Sequence, residues 1–440
     1  MSSSKFSGKA QELKQFLKDE AEQISRKVGV VQRRSKLTGA YLVQILVLGW
    51  LAKPEGSLNE LVQVGRDLGV NISVPALQQR ITERTVVLLQ ELVTVALKRF
   101  RQQTRLPQAV LKHFSAVNIV DSSLIHLPDK LRVHFQGSHK RRSPAEMKVQ
   151  LSFEYLSGNL NAVELQSATR PDQRCELPVA WATANSLTLM DLGYFKKSHL
   201  ADIDQAGGYF VSRLQTQTGL LAQAADDDLI DLPHFLSHLP ETQGEVKVYL
   251  KANRTFCVRL IYARLPDEVV AERRRKAKLN AKRRGESCSQ RHLDLLGWAL
   301  FITNVPADWL SPQQIMLVYR IRWQVELVFK LWKSQAALDA VGYYGLARVL
   351  CQFYARLLGL ILFHWSVTPC RSIPSGEISL PKAFAVFQRF ALRFMDVLRW
   401  HGRGLAHLLE RIDDDFRRFA LKTIRRKSPS TLQLLILSGA

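Results

Sequence analysis

With 440 residues, the chain is long enough for about three domains and can bury a sizeable core without disulfides or metals. Hydrophobic residues make up 46% of it and charged residues 23%, values of an ordinary folded protein that exclude wholesale disorder and collagen-like repeats. The charge is unusual: 62 Lys+Arg against 39 Asp+Glu give +23, with a sequence pI near 10.0. A basic excess of this size points to a polyanionic partner, either nucleic acid or an anionic membrane surface.

The apolar stretches 41–52 and 357–363 fall short of the ~20 residues a bilayer core demands, so no membrane partner is expected. The first 18 residues alternate charge and polarity where a signal peptide has an apolar run, and a cytoplasmic, nucleoid-associated protein is the expectation. Cys175, Cys257, Cys288, Cys351 and Cys370 are scattered without any C-x-x-C pattern and read as free thiols.

In chain order, the first quarter is helical. Leu13, Phe16 and Leu17, then Leu42, Ile45, Leu46 and Trp50, recur at three- and four-residue spacing. Ser57 with Glu60 forms a capping box, Gly69 is a helix stop, and Ser73 with Pro75 starts a second helix expected to run through Arg80 and Arg84 to Arg99. The pair fits a groove-reading helix-turn-helix or a plain packed hairpin, and spacing does not separate the two.

Near residue 115 the period changes to two. Val117, Ile119 and Val120 lead into Asp121, and Val149, Leu151, Phe153 and Tyr155 alternate with polar residues, predicting a strand with one polar face. Ser157, Gly158 and Asn159 turn this strand into an antiparallel partner over 160–168. A short apolar run over 187–190 ends at Asp191, an amphipathic segment covers 194–205, and 208–214 is another strand, so the core is α/β. Residues 215–297 interrupt it with two strand-like runs and a tract, 273–284, carrying eight Lys/Arg and no acid. Such a tract is a solvated face or follows a phosphate backbone. A strand over 298–305 and a long helix expected from Pro312 to Leu338 resume the core, and the remainder is helical.

Asp121 and Asp191 each end a strand, and Glu326 lies on the long helix. Carboxylates delivered by separate elements are what a pair of Mg²⁺ ions needs, because hard cations take oxygen ligands. At 100° per residue from Tyr319, Arg322 falls at about −60°, Glu326 at about −20°, Lys333 at about −40° and Lys330 at about +20°, a single polar stripe. By spacing alone this stripe is equally well the solvent face of an amphipathic helix.

The same residues carry a resemblance. The string YRIRWQVELVFKLWK contains Tyr319, Arg322, Glu326 and Lys333 in the spacing Tyr-x-x-Arg-x-x-x-Glu-x-x-x-x-x-x-Lys, which resembles the YREK signature of bacterial insertion-sequence transposases of the DDE type, insertion-sequence family four. Asn118-Ile-Val-Asp121 is similar to that family's first acidic motif, and Met190-Asp191-Leu-Gly-Tyr194-Phe195 with Tyr209-Phe210-Val211-Ser212-Arg213 to its second. The resemblance spans roughly residues 110–345. It implies a ribonuclease H-like catalytic core with a β-rich insertion, flanked by helical regions. The expected domains are a DNA-end-binding domain over 1–110, the core over 111–214 and 298–345, the insertion over 215–297 and a helical region used in dimerisation over 346–440.

The family further implies two Mg²⁺ or Mn²⁺ ions on Asp121, Asp191 and Glu326, and cut-and-paste DNA transposition by phosphoryl transfer. Tyr319, Arg322, Lys333, Lys330 and Arg213 become DNA contacts, and Trp298 a residue on which a flipped base stacks. The implied partners are double-stranded DNA, as terminal inverted repeats and target, and a second copy of the chain. Trp323, at about +40° on the same helix, reads as an aromatic closing the core edge. The rival function is a non-catalytic DNA-binding protein or repressor derived from a transposase, which needs no carboxylate triad.

Other clusters are set aside. His234 and His238 lack the glutamate of a zinc-protease helix, the acid runs 226–228 and 413–415 read as caps or solvated loops, and His134, His139, Lys140, Arg141 and Arg142 form a basic loop near the first strand, for which phosphate contact is modestly favoured over solvation.

Overall fold

A computed structural model of the chain describes all residues except 1, 34–35, 103–104, 106–107, 140–141, 343, 368–371, 374–375, 401–403, 424–428, 430–432 and 436–440. Cys370, Lys140 and Arg141 lie outside the described residues. The chain is mixed α/β, with a central sheet and flanking helices. Among the described residues the sheet strands are β1 (Ala116–His126), β2 (Gln136–His139), β3 (Ser143–Glu154), β4 (Leu160–Ser167), β5 (Ser186–Met190), β6 (Tyr209–Arg213), β7 (Leu220–Leu221), β8 (Gln243–Leu250), β9 (Asn253–Arg264) and β10 (Trp298–Thr303). Two compact units divide the chain, one of residues 1–106, 122–170 and 326–425, the other of 107–121, 171–325 and 426–440.

The first unit contains the N-terminal helices, the hairpin β3–β4 with β2, and the C-terminal helices. Its apolar centre is the helix Leu346–Val367, packed on Gly39–Ala52 and Glu83–Arg99, with Trp50, Phe363, Phe384 and Phe387 almost wholly buried. Leu346–Val367 has the length and composition of a membrane span, but most of it is buried inside this unit. The capping box of Ser57 and Glu60 is formed, and Gly69, at φ +80°, closes that helix with the paired bonds Gly69 N to Arg66 O and Val70 N to Gly65 O. The second helix stops at Arg80, and Glu83–Arg99 begins anew after Thr82. The expected single helix is therefore two, since Ile81 and Thr82 leave the helical backbone conformation.

Strand β3 differs from its expected half-polar character. Residues 145–154 are all buried, including Lys148, Gln150, Ser152 and Glu154, because both faces of the strand are covered. The polar groups are satisfied locally: Lys148 donates to the carbonyl of Arg170, and the Glu154 carboxylate accepts from the backbone N–H groups of Leu156 and Ser157, binding the hairpin turn.

In the second unit, β1 and β5 run parallel from Ala116 opposite Ser186 to Val120 opposite Met190, and β6 continues the parallel set beside β5. β10 then pairs antiparallel with β6 and with β9, and β8 and β7 follow. The strands of the 215–297 segment thus extend the same sheet in register with β10. The basic tract lies on a helix, Asp267–Arg284, that buries no residue and ends at Gly285 in the left-handed conformation.

Candidate active site

The parallel β1–β5 pair places the first two carboxylates: Asp191 follows the last residue of β5, whereas Asp121, expected to end its strand, lies inside β1, which continues to His126. Asp121 and Asp191 each follow directly on Val120 and Met190, which are register partners across the parallel β1–β5 pair. Neighbouring strands lie about 4.8 Å apart, so the backbone at Asp121 and at Asp191 is close where the parallel pairing ends. Asp191 leaves the sheet as the cap of a short 3₁₀ turn, its Oδ1 accepting from Leu192 N at 2.6 Å.

Around this pair the second unit gathers cations. Arg322 Nη1 lies 3.2 Å from Asp121 Oδ2, with side-chain exposures of 13% and 15%. Tyr319 is buried with its ring 4.8 Å from that of Phe301, and the guanidinium carbons of Arg213 and Arg322 stand 5.9 and 6.0 Å from its ring centre. Burial pushes the Tyr319 phenol above its ordinary range; the Arg322 and Arg213 charges oppose this and the Asp191 charge adds to it.

The polar stripe is not uniformly a solvent face, since Tyr319 is buried and Arg322 largely shielded while Lys330 is exposed. Nor does one continuous helix carry it. Pro312–Tyr319 is followed by a 3₁₀ turn, Arg320–Arg322, before Trp323–Ser334 begins, so the 100° arithmetic fails across the turn, where each residue rotates by about 120°. Trp323 is 56% exposed and does not close the core edge.

The remaining candidates are spread more widely. In the second unit, Trp298 opens β10, half-buried, with its ring edge-to-face on Tyr262 at 6.2 Å. Arg213 is the exposed last residue of β6. Both line a cleft of about 390 Å³ together with Leu192, Arg273 and His292. Arg273 donates to the Trp298 carbonyl at 3.4 Å and was not singled out from sequence, because nothing in an eight-cation run marks the one residue that turns inward. In the first unit, Glu326 lies half-buried in the first turn of its helix, Lys330 is exposed, and Lys333 Nζ donates to the Leu124 carbonyl at 2.7 Å.

Among the described residues, no group of three His, Cys, Asp or Glu side chains stands close enough to hold a metal ion. The donor chemistry of Asp121 and Asp191 still suits a hard divalent cation, which takes carboxylate oxygens in preference to nitrogen or sulfur. The clusters set aside from sequence have local partners: Asp226 accepts from Gln223 N, Asp227 pairs with Arg254, Asp413 with Arg417, and His238 Nδ1 lies 2.8 Å from the His234 carbonyl. The four described cysteines are free thiols.

Residues 112–362, which contain Asp121, Asp191 and the glutamate helix, match the family described as the transposase DDE domain. The chain belongs to this DDE transposase family. Its relatives are bacterial insertion-sequence transposases. One, the transposase for insertion sequence element IS231B of Bacillus thuringiensis subsp. berliner, is 24% identical over 440 aligned residues, covering 94% of this chain and 91% of the relative. Another, for insertion sequence element IS1151 of Clostridium perfringens, is 26% identical and covers 82% of this chain and 81% of the relative. A putative transposase, InsL, for insertion sequence element IS186A of Escherichia coli strain K12 is 27% identical over 44% of this chain. The DDE-family match starts four residues before β1 and takes in the strands of the 215–297 segment.

Proposed function

We propose that this DDE-family chain is a DNA transposase that cleaves the ends of an insertion sequence and joins them to target DNA by cut-and-paste transposition, on a ribonuclease H-like core. The observation that carries the reading is the placement of Asp121 and Asp191 directly after the last register pair of the parallel strands β1 and β5, at the carboxyl end of that pairing, with Arg322 against Asp121. Ligand sites of open α/β sheets form outside such carboxyl ends. An antiparallel hairpin β3–β4 and a parallel set β1, β5 and β6 are the strand types a ribonuclease H-like core requires.

In this reading Asp121, Asp191 and Glu326 hold two Mg²⁺ or Mn²⁺ ions, whose chemistry when bound is to activate an attacking water or 3′-hydroxyl and to stabilise the leaving 3′-oxygen. Arg322 grips a phosphate as a planar fork, Lys333 and Lys330 act as point charges, and Tyr319 supplies a hydroxyl donor from a dry site. Arg213 and Trp298 line the neighbouring cleft, where Trp298 stacks on an extruded base. The helices of residues 1–110 bind the terminal inverted repeats, and those of 346–440 pair two copies so that both ends are held together. The YREK spacing supports these assignments.

Incubating the chain with duplexes that carry the element's end, with Mg²⁺ or with chelator, tests the proposal. Metal-dependent nicking at the element boundary, lost in Asp191→Asn, is the expected result. Specific end binding without nicking in any divalent metal points instead to a repressor.

A further inference from the structure

We propose that the helix Asp267–Arg284 is a track for the phosphate backbone of the DNA lying outside the element end, entered from the cleft beside Asp191 through Arg213 and Arg273. The inference rests on the transposase reading and adds to it a surface for DNA whose sequence is arbitrary.

Three observations in the second unit carry it. The helix has eight Lys/Arg over 273–284, buries no residue, and so is not held in place by an apolar face. Its acids lie toward its start, where Glu272 pairs with Arg275 and Lys276. Arg274 is bound to the Leu293 carbonyl, whereas Lys278, Lys282, Arg283 and Arg284 have no ion pair among the described residues.

Second, Arg273 turns out of the exposed row into the cleft, onto the Trp298 carbonyl, with Arg213 on the same wall. Two cations sharing one partly enclosed wall repel each other, and burial with the Arg213 charge holds the Arg273 guanidinium below its ordinary range. An anion in the cleft relieves both costs. Third, Leu192, the neighbour of Asp191, lines that same cleft, which joins the track to the candidate active site.

The geometry suits a duplex. From Arg273 to Arg284 the helix rises about 16 Å, the length of about five base-pair steps. Flexible lysines and arginines with few amide side chains bind phosphates and read no bases, as DNA adjoining a mobile element requires, since its sequence changes with every insertion site.

The test compares two duplexes bearing the same element end, one flush at the boundary and one continuing into a long flank of random sequence. The full-length variant with Lys278, Lys282, Arg283 and Arg284 all changed to Glu is expected to bind the flanked duplex at least about tenfold more weakly and the flush one within about twofold of wild type. Neutralising the same four residues to Gln gives a smaller loss in the same direction. Because these side chains are exposed, circular dichroism and the melting curve should match wild type. An equal loss on both duplexes, or none on the flanked one, overturns the track. If the transposase reading itself is wrong, the signature differs: wild type then neither prefers the element end nor cuts it, and both proposals fall.

Discussion

Arg322 and Asp121, 201 positions apart in the chain, meet with Nη1 3.2 Å from Oδ2 in a pair that is largely shielded from water. A guanidinium so placed neutralises the carboxylate, and its planar fork matches the geometry of a phosphate. Arg322→Lys keeps the charge and loses the fork. End binding should stay within about threefold of wild type while the rate of cleavage falls about tenfold or more, an asymmetry expected of a group that positions phosphate. Gel-shift and single-turnover measurements on the same duplex check it, and equal wild-type values would remove Arg322 from the reaction.

Asp121→Asn, Asp191→Asn and Glu326→Gln should each abolish Mg²⁺- and Mn²⁺-dependent cleavage with end binding largely retained, because the ligands act in the chemistry and the affinity comes from cations. Normal cleavage by any one of the three removes that residue from the proposed metal site.

Binding should be salt-steep. Each neutralised phosphate contributes about −0.9 to the slope of log K against log salt, so six to ten contacts cost roughly 10³ to 10⁵ in affinity between 50 and 200 mM. A flat response means that the +23 charge serves something other than DNA.

Trp298→Ala should leave first-strand nicking nearly intact and slow the following step, the loss reflecting about 1 to 3 kcal/mol of base stacking. An abasic nucleotide near the cleavage site should partly restore the rate, since it removes the cost of unstacking. Equal loss of both steps, with a lowered melting temperature, identifies Trp298 as a packing residue against Tyr262.

The Ser57 cap offers a test of the fold. Glu60 is held down to about 2 by Lys53 and by the Ser57 backbone and hydroxyl. With a folded value below the ordinary carboxylate range, its contribution is present above about pH 4.3 and fades as the pH falls toward 2. Ser57→Ala should cost about 1 kcal/mol near neutral pH, and the difference from wild type in urea melts should shrink on acidification. A gap that is constant with pH refutes the coupling of Ser57 to the Glu60 charge.

Much of this protein was legible in its sequence because the signals are local. The charge, the capping box at Ser57, the strand end at Asp191 and the turn at Gly158 each depend on residues within a few positions of one another, and the family signature around Glu326 is a spacing within one segment; the strand expected to end at Asp121 runs on to His126. What tertiary structure decided is what depends on neighbours remote in sequence. Alternation in β3 predicted a polar face, yet Lys148, Gln150 and Glu154 are buried because other elements cover that side. The polar stripe was ambiguous until Tyr319 met Phe301 and Arg322 met Asp121. Trp323 turned outward, the helix expected from Pro312 broke at a 3₁₀ turn, and Arg273 alone of its run turned into a cleft. Periodicity records which residues can share a face; only packing between distant segments determines which of those faces is covered.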